Sequence, residues 1–157
     1  MNSNSDIKIV ALFTSPTFDL SWPEDEKADP NDPPLGLDCA TYIVQKLKRI
    51  GLTIEADEPF QDEATWCFFV TADGDIYTVI VMWAQIGDKE LEDTWVIQLT
   101  KSRSGCLMKM IFADLFIGQL KPATLVPMID ILDSVLRDDP NISELRWLTE
   151  EQFHKVY

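Results

Sequence analysis

Residues 65–83 read TWCFFVTADGDIYTVIVMW. Asp73-Gly74 at the centre supplies the positive-φ geometry of a tight hairpin. In the outgoing strand Trp66, Phe68 and Val70 share one face, and Cys67, Phe69 and Thr71 share the other. In the returning strand Tyr77, Val79, Val81 and Trp83 face one way, and Ile76, Thr78, Ile80 and Met82 the other. A sheet with one wet face alternates apolar with polar. This hairpin is apolar on both faces, so both need cover.

The flanking sequence extends the hairpin into a sheet. Residues 94–102 (TWVIQLTKS) form a third strand after a polar connection, which makes a meander. Residues 7–14 (IKIVALFT) are a strand, and 52–55 are a short one. Two segments carry helical periodicity. The first runs from Cys39 to Ile50, with Asp38 as its cap, Ala40, Ile43, Val44, Leu47 and Ile50 as its stripe, and Gly51 as its stop. The second runs from Thr124 to Arg137, with Leu125, Ile129, Leu132, Val135 and Leu136 inward. Pro127 fits there because it falls in the first turn. Thr149-Glu150-Glu151-Gln152 is a capping box, with Leu148 and Phe153 as its hydrophobic staple, and predicts a short C-terminal helix. The expected fold is α+β: an antiparallel sheet of four or five strands, packed by two main helices, plus that short helix.

A chain of 157 residues is the size of one domain, so residues 1–157 are expected to form one. Residues 15–36, rich in proline and acid, form a long surface loop in which Phe18, Leu20 and Trp22 alternate. The two helices are expected to cover one sheet face. The segment Cys106–Ile117 and the Phe18–Trp22 loop would cover the second, giving three layers. The rival expectation leaves Tyr77, Val79 and Val81 partly open as a contact surface for another protein or another copy.

The formal net charge is -14. Such a surface repels nucleic-acid phosphates and anionic lipids and attracts basic partners. No run is apolar and long enough to span a membrane, and the start MNSNSDIKIVALF lacks the basic region of a signal peptide. The expected compartment is the cytoplasm. Three cysteines (Cys39, Cys67, Cys106) without regular spacing suggest neither a disulfide framework nor a zinc site.

No residue pattern announces a catalytic, cofactor or metal centre. From Asp29, an EF-hand register would put Pro33 and Pro34 at its fifth and sixth positions, where a ligand and glycine are needed. Asp73 and Asp75 could pair on an ion, but a hairpin tip uses such residues for turn geometry. His154, the only histidine, lies on the expected terminal helix with no nucleophile placed beside it. Ser102-Arg103-Ser104-Gly105 reads as a plain turn.

A small, acidic α+β chain with a central antiparallel sheet and no catalytic set resembles the bacterial immunity proteins, which neutralise toxins by binding them. The resemblance is one of overall character. It implies a protein-binding module that occludes a basic toxin or effector, with no cofactor. The acidic loops and the open part of the meander would make the contacts: Trp22, Glu24, Asp25, Glu26, Asp57, Glu58, Tyr77, Val79 and Val81. Two other readings stand beside it. One is a homodimer or larger homo-oligomer with an accessory role. The other is an enzyme or ligand binder with a tryptophan-lined pocket.

Overall fold

A computed structural model describes residues 7–20, 35–55, 57–87, 90–102 and 125–157. Their elements, in chain order, are β1 (Lys8–Thr14), α1 (Leu37–Arg49), β2 (Thr53–Ile54), β3 (Phe60–Asp62), β4 (Thr65–Ala72), β5 (Asp75–Ile86), β6 (Glu92–Ser102), α2 (Val126–Arg137), β7 (Ser143–Thr149) and α3 (Glu150–Val156). The fold is α+β, as the hydrophobic patterning predicts.

The sheet has seven strands in the order β2-β4-β5-β6-β1-β7, with β3 also paired to β4. Every pairing is antiparallel. The meander β4-β5-β6 is its centre. Asp73 and Gly74, at φ of 52° and 81°, make the turn between β4 and β5. The register then sets Phe68 opposite Val79, and Val79 opposite Leu99.

Two strands go beyond the four or five expected. β3 is a three-residue piece of what reads as an acidic loop. β7 (SELRWLT) does alternate Leu145 and Trp147 about Arg146, but it is short and Leu148 directly after Trp147 breaks the alternation. The two outer rows of the sheet are irregular. β2 and β3 divide one row, facing Val70–Thr71 and Thr65–Cys67 of β4 respectively. β7, on the opposite side, pairs with β1 through two register shifts and holds Glu144 at φ 55°.

α1 and α2 lie on one face. Ile43, Val44, Leu47, Met128, Leu132 and Leu136 are buried there with Ala11, Phe13, Trp66, Phe68, Val79, Val81, Trp95 and Ile97. Met128, outside the expected stripe, is fully buried, whereas Ile50, expected inside it, is 57% exposed at the C-cap. The helix also starts two residues before the expected Cys39. Gly36 is its N-cap, at φ 119°. Asp38 therefore sits inside the first turn, where its carboxylate accepts from Asp19 N at 2.7 Å and Cys39 N at 2.8 Å. α2 starts at Val126 with Leu125 as N-cap; Thr124 lies outside the described residues.

The opposite face of the hairpin is covered in part by α3. Phe153 is buried there with Val10, Leu12, Ala84, Ile86 and Val96, and Leu148 and Met82 pack at the margin. Thr149 and Gln152 form the reciprocal capping box that starts this helix. The expected cover was different. Phe18 does pin its loop, but on the α1 face, edge-on to Tyr42 at 5.3 Å and to Trp95 at 5.5 Å. The segment Cys106–Ile117 lies outside the described residues.

Candidate functional site

Tyr77, Val79 and Val81 are 4%, 0% and 0% exposed. They sit beneath α1 and α2, so no partner reaches them in this fold. The contact surface expected from them is corrected on that ground. The sequence pattern shows that the hairpin has two apolar faces; it does not show which one the helices take. Trp22, Glu24, Asp25 and Glu26 lie outside the described residues. Asp57 and Glu58 are exposed.

These last two belong to a larger group. Glu55, Asp57, Glu58, Asp62 and Glu63 are all exposed along the β2–β3 side of the sheet. Asp62 is fixed by the pairing of β3 with Thr65 of β4. Its carbonyl accepts from Thr65 Oγ1 at 2.9 Å, and the Glu63 carbonyl accepts from Gln61 Nε2 at 3.1 Å. Glu63 holds the turn at φ 50°. On this side the ion pair among the described residues is Lys48 Nζ to Asp57 at 3.3 Å, with the Asp57 side chain fully exposed. Such a pair contributes little to stability. The result is a carboxylate-rich rim carried by short, hydrogen-bonded backbone. The acidic spelling of the segment shows the charge; only the β3–β4 pairing shows that Asp62 is fixed to the sheet.

Beside the rim, on the sheet face away from α1 and α2, Phe60, Phe69, Ile76, Ile80 and Met82 are half-buried. Phe60 and Phe69 rings lie 5.3 Å apart. The stripe runs over β3, β4 and β5, and α3 covers only its far end, at Met82.

Among the described residues the tryptophans do not line a common cleft. Trp66 and Trp95 are core residues. Trp83 donates to Asp93 at 3.2 Å, and Trp147 donates to Asp133 at 2.9 Å. A shallow depression of about 430 Å³ lies at the start of α1, lined by Asp19, Leu35, Gly36, Asp38, Tyr42 and Gln45 among others. Acidic side chains and a helix N-terminus meet there. They favour ligands of opposite charge, so the site selects neither.

Asp73 and Asp75 serve the hairpin turn. Their nearest chemical effect is on Tyr77, whose hydroxyl is pushed up first by burial and then by the two carboxylates. His154 is an exposed residue of α3, 3.8 Å from Glu150. Among the described residues no group of three or more histidine, cysteine or acidic side chains is placed to hold a metal ion. No described helix is long and apolar enough to cross a membrane.

The thiols of Cys39 and Cys67 are buried and free. Burial pushes both above their usual range, with Asp38 adding to the effect at Cys39. The reactive thiolate is thus disfavoured. A thiol reagent followed by peptide mass mapping should label neither residue in the native protein and both after denaturation. Native labelling of either residue at the rate of a free thiol would show that the packing around that residue opens readily.

One long-range contact is invisible in the sequence. Tyr42 of α1 donates its hydroxyl to Asp139, just beyond α2, and Asp139 also accepts from Asn141 N at 2.8 Å. Lys46 Nζ stands 5.4 Å from the centre of the Tyr42 ring. Burial, then the Asp139 bond and charge, raise the tyrosine well above its usual value. The tyrosine bond, followed by that of Asn141, lowers the aspartate. A depressed carboxylate stabilises the fold above its unfolded pKa and loses that contribution as pH falls through the folded one. A raised phenol stabilises below its unfolded pKa and loses that contribution as pH rises through the folded one. The bridge therefore contributes fully between about pH 5 and pH 9, and fades on both sides. Tyr42→Phe should cost about 1 kcal/mol at pH 7 and less at pH 3. A difference between the two proteins that stays constant from pH 3 to pH 7 would count against the bridge.

No protein-family model, curated protein or solved structure matches the chain.

Proposed function

We propose that this chain is a protein-binding module that neutralises a basic toxin or effector by occlusion, in the manner of immunity proteins. The observation that supports it is the rim of Glu55, Asp57, Glu58, Asp62 and Glu63, exposed beside the sheet, with Asp62 held by the β3–β4 pairing. Fixed charges of one sign on a rigid frame raise the rate at which an oppositely charged protein docks. The net charge of -14 reinforces the field. The rim would steer the partner and hold its orientation, and the bulk of the domain would block the partner's working surface.

The test has two stages. The tagged protein is used to capture its companion from the host, and the companion is identified by mass. Association is then timed by stopped flow at low and high salt. The combined variant Asp57→Asn, Glu58→Gln, Asp62→Asn, Glu63→Gln should associate roughly tenfold more slowly at low salt. Dissociation and thermal unfolding should change little, because these side chains are exposed. A stoichiometric companion that is not basic, or an association rate indifferent to these charges, would sink the proposal.

A further inference from the structure

We draw no further inference here: the strongest candidate, the half-buried apolar stripe of Phe60, Phe69, Ile76, Ile80 and Met82 on the sheet face away from α1 and α2, carries nothing because nothing among the described residues shows what covers it.

Discussion

Trp95→Ala is expected to lower unfolding stability by about 3–5 kcal/mol, the largest effect of any single substitution considered. Trp95 is 1% exposed. It sits in β6 between Phe13 of β1 and Trp83 of β5, its direct cross-strand partners. Phe18 meets it edge-on. Residues from three strands and the residue 15–20 segment therefore share one side chain, and truncation leaves a void that no single neighbour can fill. A typical domain has only about 5–15 kcal/mol in total. The check is denaturant unfolding of the variant beside Trp95→Phe, which keeps an aromatic ring and should lose much less. A loss below about 1.5 kcal/mol for the alanine variant would mean that the surrounding residues close the gap, and that the core is less rigidly packed than described.

Gly36→Ala is expected to cost about 1–3 kcal/mol, for a different reason. Gly36 caps α1 at φ 119°, a conformation that L side chains rarely adopt. Space is not the obstacle. A Cβ there would stand 3.5 Å from Trp66 Cδ1, 3.5 Å from Trp95 Cζ3 and 3.9 Å from Val81 Cγ1, which are ordinary contacts. The penalty belongs to the backbone, so it should persist when the neighbouring ring is removed. A double-mutant cycle with Trp95→Ala separates the two causes. Additive losses would confirm backbone strain. A loss at Gly36 that disappears in the Trp95→Ala background would instead assign it to crowding against the indole.

The parts of the fold legible in the sequence are those dictated by local chemistry. Asp73-Gly74 with its alternating flanks specifies the hairpin. The spacing of Ala40, Ile43, Val44 and Leu47 specifies α1. Thr149 and Gln152 specify the start of α3. What escaped depends on pairing partners that local patterning does not announce. β3 exists because β4 offers Thr65–Cys67 for pairing. β7 exists because β1 has a second side to fill. Gly36, not Asp38, is the cap, and the Asp38 carboxylate accepts instead from Asp19 N, 19 residues away in sequence. The same distinction explains the contact residues. Tyr77, Val79 and Val81 alternate as an exposed or a buried face would, and period-two spacing assigns no inside or outside. The direction was fixed by which face received α1 and α2. The acidity of Asp57 and Glu58 was plain in sequence; the pairing of the neighbouring β3 with β4 was not.

The irregular outer rows of the sheet have a consequence for behaviour at high concentration. A long, flat outer strand is a template on which further chains can stack into fibrils. Here one row is split between two short strands, and the other is bent by two register shifts and a residue at positive φ. Neither presents the straight ladder of donors and acceptors that cross-β growth copies. Carboxylates along the split row add repulsion between like molecules. The apolar meander, the segment most suited to such growth, is thus enclosed between rows that resist being extended.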